Sequence, residues 1–309
     1  MISKVHVQNY RCLKSVDVDL APLTVLIGEN DTGKSSFLGA LKNFQVNDWD
    51  NPENRRLGTE RGSIRGWNER GDESERGVGI GKGATLGWKL DAIHLVSLPA
   101  SGPAMTAEGT DSMRLGNDGA GVPALLDHFL RTDRERFDSY LREAKQRIRG
   151  LSDLKIRLAD QNRHVALDLK LESGYEFSAD QASAGVKNLL YFIALAHHPS
   201  PPDLLLLEEP ENGLHPRRLS YVIRLLRALS KGEFAYGGTR PCQVVLSTHS
   251  PYLLDEIDPE TEQVLVFSRE NDGSRTAKAI DKEGLKVFLD EFKLGEVWFN
   301  EQEAGLTKP

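Results

Sequence analysis

A strand-like apolar run near the start of the chain leads into a motif of glycines, a lysine and a serine. Gly28, Gly33, Lys34 and Ser35 follow the spacing G-x-x-x-x-G-K-S. In such a loop, small residues let backbone N–H groups curl around phosphates, the lysine reaches the β- and γ-phosphates, and the serine hydroxyl holds Mg²⁺. The motif predicts a site for a nucleoside triphosphate. A glycine turn that binds no nucleotide is the alternative.

The segment after this loop is predicted to be a helix over residues 34–44, because Phe37, Leu38 and Leu41 recur at helical spacing. The positive end of such a helix points at the same anion. We therefore assign the whole loop to nucleotide binding: Gly28, Asn30, Asp31, Thr32, Gly33, Lys34, Ser35 and Ser36.

Two adjacent carboxylates follow a run of four leucines. Residues 204–207 predict a central strand buried on both faces, and Glu208 and Glu209 come directly after it. Burying an acid there is costly without a cation, and Mg²⁺ bound to ATP supplies one. We predict that Glu208 lies near the metal with Ser35, directly or through water, and that Glu209 polarises the attacking water. A cluster of acids at a helix N-terminus is the alternative.

Polar residues also mark two other places in the second half of the chain. Ser183 precedes an apolar helix whose N-terminus attracts anions, and a strand over residues 244–247 ends in Thr248, His249 and Ser250. In open α/β sheets, ligands bind at the carboxyl ends of strands. We therefore expect His249 at the phosphate site, although a lone histidine is more often a satisfied core group.

The elements needed to position these residues are those of an α/β chain. Alternation over residues 2–20 predicts two strands before the phosphate-binding strand, residues 123–150 predict two helical stretches, and residues 165–177 predict a hairpin. Residues 45–92, rich in glycine and arginine, predict an insertion of loops or a loose hairpin. Its arginines either contact nucleic acid or solvate a loop of mixed charge: Arg55, Arg56, Arg61, Arg65, Arg70 and Arg76.

Composition narrows the class of protein. The 309 residues carry a net charge of −7, which argues against a protein that binds nucleic acid over its whole surface. A local basic groove that binds nucleic acid is still compatible with this charge. Cys12 and Cys242 are interpreted as two buried thiols in a reducing compartment rather than a disulfide or a metal site. The sequence shows neither a signal peptide nor a membrane-spanning run, so we expect a soluble, cytoplasmic protein with no membrane partner.

Together, the motifs and their order resemble the ATP-binding-cassette (ABC) ATPases of the RecF/SMC-like and OLD-like group. Residues 7–14, VQNYRCLK, are similar to the "N-F/Y-R" strand of that group, and residues 208–216, EEPENGLHP, are its most specific signal. Residues 293–298 resemble a C-terminal piece of the same ATPases. The resemblance covers nearly the whole chain. It implies an α/β P-loop NTPase of the ABC-ATPase type, with a mixed β-sheet core flanked by helices.

The resemblance also implies a division of the chain. Residues 1–309 form one ATPase domain with a helical signature subdomain, residues 123–150 are a lever segment, and residues 181–197 are the signature helix. Ser183, Gly185 and Lys187 belong to the loop that closes over the γ-phosphate held by the opposite subunit.

Further roles follow from the same resemblance. Asn212 and Gly213 fall in the dimer-contacting loop, and His249 senses the γ-phosphate. The predicted catalytic residues are therefore Glu209, His249 and Lys34.

The chain departs from the family pattern in three places. Ala184 and Val186 stand where the signature often has Gly and Gln or Glu, and Glu208 replaces a common Asp. A glutamine that contacts the metal at the end of the second core strand stays unassigned, because Gln45 is too close to the phosphate-binding helix.

The predicted function is an ATP- and Mg²⁺-dependent switch that forms a head-to-tail homodimer around ATP. Its output would pass through a separate effector protein. Two classes of partner stay open: double-stranded DNA, in repair, recombination or antiviral defence, or a protein without nucleic-acid contact. A transporter subunit fits the motifs poorly.

Overall fold

The chain clusters into two compact units in a computed structural model. One unit comprises Met1–Leu95, Pro202–Glu209 and Cys242–Pro309, and the other comprises Val96–Pro201 and Pro210–Pro241. The chain was predicted as one domain with a helical subdomain. The structure describes residues 1–43, 56, 59, 62–78, 93–97, 105–108, 115–116, 120–158, 164–233, 240–283, 285 and 292–307. Gln45 lies outside that part.

The described strands and helices are numbered here in chain order. The strands are β1 (Ile2–Tyr10), β2 (Leu13–Asp19), β3 (Leu23–Ile27), β4 (Gly62–Asn68), β5 (Glu73–Val78), β6 (Ile93–Ser97), β7 (Thr106–Glu108), β8 (Leu151–Leu158), β9 (His164–Leu171), β10 (Glu176–Ser178), β11 (Leu204–Glu208), β12 (Gln243–Ser247), β13 (Gln263–Arg269) and β14 (Arg275–Ala279). The helices are α1 (Lys34–Lys42), α2 (Val122–Thr132), α3 (Arg134–Arg147), α4 (Ala184–Ala196), α5 (Pro216–Lys231), α6 (Pro251–Leu254) and α7 (Leu294–Leu306).

A ten-stranded sheet organises the first unit, in the order β5-β4-β1-β2-β14-β13-β3-β12-β11-β6. Strands β11, β12, β3 and β13 are parallel. Their register pairs Glu208 with Ser247 and Ser247 with Leu26, so the carboxyl ends of three strands stop at the same level. All five residues of β3 are buried, so side chains that could contact a ligand follow the strand, at that edge of the sheet.

Helix α1 packs on this sheet through its apolar stripe. Phe37, Leu38 and Leu41 have no exposed surface and join the core beside Leu26 and Phe267. The Phe37 and Phe267 rings lie 5.4 Å apart at 57°. Burial of such side chains contributes about 1.5–3 kcal/mol each before entropy is counted. The phosphate-binding loop is thus fixed between a buried strand and a buried helix.

Part of the predicted insertion belongs to the sheet. Strands β4 and β5 form an antiparallel hairpin, and β4 pairs with β1 over Ile2 to Gln8. The prediction of loops or a loose hairpin was therefore right about the hairpin and missed its place in the sheet. Of its arginines, Arg65 pairs with Glu75 at 2.7 Å, Arg56 donates to the Cys12 carbonyl, and Arg70 is exposed. Arg55, Arg61 and the side chain of Arg76 lie outside the described residues.

The second unit combines a small sheet with four helices. Strand β9 pairs with β8, β10 and β7, all antiparallel. The two predicted helical stretches of residues 123–150 are α2 and α3, and the Asp133 side chain caps α3 by accepting from the Arg136 N–H at 3.1 Å. Helix α4 is buried from Gly185 to Leu195 except at Val186. Its apolar length makes it the centre of this unit.

No helix within the described ranges has both the length and the apolar character needed to cross a membrane.

Candidate functional site

The loop after β3 requires glycine at its first position. Gly28 has φ of +145°, and a Cβ there would lie 2.2 Å from the Phe267 carbonyl oxygen on β13. Gly33, with φ of +103°, caps α1, and a Cβ there would lie 2.8 Å from Leu13 Cδ2. Side chains at either position would displace the loop from its neighbours. The motif glycines are therefore explained by close backbone approach.

Lys34 is buried in this loop. Its Nζ donates to the carbonyl oxygens of Gly28 at 2.7 Å and Glu29 at 2.8 Å. The Thr32 hydroxyl donates to the same Glu29 carbonyl at 2.8 Å. Asn30 and Asp31 are exposed on the rim, and Asp31 has φ of +63°. Backbone carbonyl oxygens thus hold one positive charge inside the loop, within reach of an anion that would bind there.

Ser35 and Glu208 are brought together from α1 and β11. The Ser35 hydroxyl donates to Glu208 Oε2 at 3.2 Å. Mg²⁺ prefers hard oxygen ligands and in nucleotide sites takes one or two from protein and the rest from phosphate and water. A hydroxyl beside a carboxylate fits that need. These two residues would hold the ion, as the sequence predicts.

Glu209 and His249 form the second pair at this edge. His249 Nε2 lies 3.3 Å from Glu209 Oε1. The Glu209 N–H donates to the Ser247 carbonyl at 3.0 Å, and the Glu209 backbone is left-handed, with φ of +46°. That turn redirects the chain directly after β11. The carboxylate therefore faces the end of β12.

The charge of His249 is set by its surroundings. Burial lowers the pKa of His249 below its ordinary value of 6.5, and the nearby Lys34 ammonium lowers it further, while Glu209 opposes both effects. The imidazole is consequently neutral at pH 7. A neutral ring has one nitrogen that donates a hydrogen bond and one that accepts, and it adds no charge to the site.

One cavity of about 250 Å³ joins these groups. It is lined by Cys12, Asn30, Asp31, Thr32, Gly33, Lys34, Ser35, Ser36, Glu209, Ser247 and His249. The predicted loop residues other than Gly28 thus share one space with Glu209 and His249. Glu208 reaches it through Ser35.

Two residues near the loop were not assigned a role from sequence. The Arg275 side chain on β14 donates to the Asp31 carbonyl at 2.9 Å and to Asp31 Oδ2 at 2.5 Å. Cys12 was interpreted as a buried thiol, whereas it is half-buried, lines the cavity and contacts Ser36 Oγ at 3.2 Å. The sheet brings both residues to the loop from distant segments, so no local pattern places them there.

The remaining predicted residues lie in the second unit. Ser183 is the exposed N-cap of α4, and its side chain makes no capping hydrogen bond. A Cβ at Gly185 would lie 2.3 Å from the Gly213 carbonyl oxygen. The Asn188 amide donates to the Asn212 carbonyl at 2.8 Å. The predicted signature and dimer-contacting loops therefore touch each other.

Lys187 lies inward on α4. It is 7% exposed, and its Nζ lies 3.4 Å from the Asp180 carbonyl oxygen. In this conformation the ammonium donates a hydrogen bond to the turn before the helix. Its predicted contribution at a subunit junction stays a prediction.

Solved structures of SMC heads share this fold. An SMC head bound to the C-winged helix domain of ScpA matches with a TM-score of 0.58 and 13% identity, over 93% of this chain and 99% of the other. A head domain with an extended coiled coil, bound to the C-terminal domain of ScpA and derived from Pyrococcus furiosus, gives 0.55 and 13%, over 94% and 98%. The predicted fold class is confirmed.

Sequence comparisons agree with the fold. Residues 1–75 match the family model described as AAA ATPase domain, and residues 102–255 match the model described as AAA domain, putative AbiEii toxin, Type IV TA system. The OLD nuclease of Thermus scotoductus (strain ATCC 700910 / SA-01) is 42% identical over 41 residues. The predicted resemblance to the RecF/SMC-like and OLD-like P-loop ATPases is confirmed. That match covers 13% of this ATPase and 8% of the nuclease, so it says nothing of the nuclease activity here.

Proposed function

We propose that this ATPase is a nucleotide switch that closes as a homodimer around Mg²⁺-bound ATP and opens on hydrolysis. The observation that carries the proposal is the meeting of two pairs, Ser35 with Glu208 and Glu209 with His249, at the edge beside Lys34. P-loop ATPase families use ATP and typically Mg²⁺, and this donor set suits both. The metal, when bound, neutralises charge on the phosphates.

The side chains divide the work of hydrolysis. Lys34 and the loop N–H groups would hold the phosphates, and Ser35 and Glu208 would hold the ion. Glu209 orients the attacking water and accepts its proton. His249, held neutral and beside Glu209, hydrogen-bonds the γ-phosphate and keeps the carboxylate in place.

The dimer is supported by the second unit. Ser183 and the first N–H groups of α4 are offered by a helix N-terminus that is not closed by its own cap. Gly213 fits against Gly185 so closely that both loops act as one surface. A γ-phosphate from an opposite subunit would bind there, and its loss after hydrolysis would release the contact.

Hydrolysis by purified protein over a protein-concentration series tests the switch. We expect Glu209→Gln to bind ATP, to form an ATP-dependent dimer by light scattering and to hydrolyse about 100-fold or more slowly than wild type. Lys34→Ala should lose nucleotide binding, while Lys42→Ala, at the other end of α1, should not. Wild-type turnover by Lys34→Ala contradicts the site, and a monomeric Glu209→Gln with ATP contradicts the dimer.

For the partner, we propose double-stranded DNA, in keeping with the SMC and OLD relatives. Adding linear duplex to the same assay should raise the rate per subunit, and the effect should fall steeply with salt, since phosphate contacts release counterions. A protein partner is the second candidate. The net charge of −7 and the ScpA-bound SMC heads favour it. A rate indifferent to DNA at all salt concentrations would select this second candidate.

A further inference from the structure

Exposed apolar side chains are concentrated in one region of the first unit. Of the five large apolar side chains that are exposed in the described part of the chain, three belong to it: Tyr252 on α6, Phe292 before α7, and Phe299 on α7. Their exposed fractions are 63%, 49% and 74%. Soluble proteins usually leave such groups scattered, so a concentration indicates a contact surface.

Helices α6 and α7 bring these aromatic residues onto one surface. The Gly295 N–H donates to Asp255 Oδ1 at 3.1 Å, and a Cβ at Gly295 would lie 2.1 Å from the Pro251 carbonyl oxygen. The two helices thus touch backbone to backbone. Tyr252 adjoins Pro251, and Phe299 lies about one helical turn beyond Gly295 on the same side of α7. Both rings therefore flank the contact.

The exposed rings do not belong to the hydrophobic core. Leu253 and Leu254 of α6, and Leu294 and Val297 of α7, are buried and anchor both helices. These neighbours anchor the helices to the core, so most of the Tyr252 and Phe299 side-chain surface is not needed for packing. We call the surface that they form with Phe292 the α6–α7 surface.

The charges around the α6–α7 surface have one dominant sign. Residues 250–260 contain no lysine or arginine and four acidic residues that are exposed or half-buried: Asp255, Glu256, Asp258 and Glu260. The described residues 292–300 add Glu296 and a single lysine, Lys293. A nucleic acid would be repelled here. An apolar surface with acidic neighbours is complementary to a basic amphipathic segment.

We propose that the α6–α7 surface docks a partner protein through a basic amphipathic segment, with apolar residues on Tyr252 and Phe299 and lysine or arginine against the acids. This gives chemistry to the protein partner, the second candidate of the proposed function, and rests on that candidate. Helix α6 starts two residues after His249, so the dock is built on the same segment as the predicted γ-phosphate sensor.

The test uses two labelled peptides with leucine at helical spacing, one with lysine at all other positions and one with glutamate. Binding to the full chain is measured by fluorescence anisotropy. We expect the Leu/Lys peptide to bind and the Leu/Glu peptide not to bind. Tyr252→Ser and Phe299→Ser should weaken binding tenfold or more. Tyr175→Ser removes an aromatic residue of equal exposure in the second unit and should not change it.

Three results would overturn the docking surface: no binding of the Leu/Lys peptide, equal binding of both peptides, or equal affinity in all variants. If no peptide binds, and light scattering gives a lower particle mass for Phe299→Ser than for wild type, the surface is an interface with a second copy. ATP hydrolysis is measured in parallel. Hydrolysis that persists while docking fails rejects this surface alone, whereas hydrolysis independent of Glu209 rejects the proposed switch.

Discussion

At the scale of single residues, Cys12 is placed to report on the nucleotide site. Its thiol lines the cavity of the phosphate-binding loop and contacts the Ser36 hydroxyl. Cys242 is fully buried, and burial raises the pKa of its thiol well above the ordinary range. Only thiolates react readily with alkylating agents, so the two thiols differ in access and in reactivity.

We therefore predict that iodoacetamide modifies Cys12 in the folded protein and leaves Cys242 intact. Bound ATP should slow the modification of Cys12, because the phosphates and ion occupy the space beside Ser36. Mass spectrometry of peptides after timed alkylation measures both rates. Cys12→Ser is the control, and labelling of Cys242 at the same rate as Cys12 would contradict the arrangement.

The residues of the site could be predicted from sequence to the extent that their types stand in fixed spacing. Lys34, Ser35, Glu208, Glu209 and His249 each follow a buried strand, and parallel strands end at one edge. Arg275 and Cys12 could not be found this way. Arg275 stands in no motif, and the motif around Cys12, residues 7–14, does not indicate that its thiol lies beside the phosphate-binding loop.

At the scale of elements, β14 supports the loop from the side. Arg275 holds the Asp31 backbone and carboxylate, where the chain has a positive φ, and a third contact runs from its guanidinium to the Gly273 carbonyl. Arg275 is largely buried, while its partner Asp31 is 76% exposed, so the pair itself stabilises the protein little. Its effect is on the shape of the loop rim.

Arg275→Ala should accordingly raise KM for ATP severalfold with a small change in kcat, because the rim is loosened before any chemistry. Arg275→Lys should restore part of the effect, since a lysine keeps the charge and loses the two-pronged geometry. Arg269→Ala, at the exposed end of β13, is the matched control. A fall in kcat at unchanged KM would mean that Arg275 acts in the chemical step instead.

The elements that could be predicted were those with a clear period. Helices α2 and α3 and the β9–β10 hairpin follow their patterns. The place of the β4–β5 hairpin at the sheet edge could not be predicted. Strand pairing is a long-range choice that the local alternation of side chains does not encode.

At the scale of the whole molecule, two histidines link stability to pH. Burial is the main cause that lowers the pKa of both His197 and His249 below 6.5. Below about pH 6.5, these two histidines therefore bind more protons in the unfolded chain than in the folded chain. Stability should rise with pH up to about 6.5 and gain nothing further from these groups above it.

The expected result is a free energy of unfolding whose slope between pH 5 and 6.5 is smaller in His197→Gln than in wild type. Urea titrations at several pH values measure that slope. Between pH 7.5 and 8.5 the ring is neutral in both states, so the two proteins should show the same slope there. Equal slopes at acidic pH would mean that His197 protonates freely in the folded protein.

The left-handed backbone of Glu209 carries a cost that a glycine at the same position would avoid. A side chain at φ of +46° is disfavoured by about 1–2 kcal/mol relative to right-handed geometry, and glycine escapes that penalty. Glu209→Gly should thus be inactive yet no easier to unfold than the parent. Selection for stability alone would favour glycine at this position, so the strained glutamate is what the role proposed for Glu209 in hydrolysis leads us to expect.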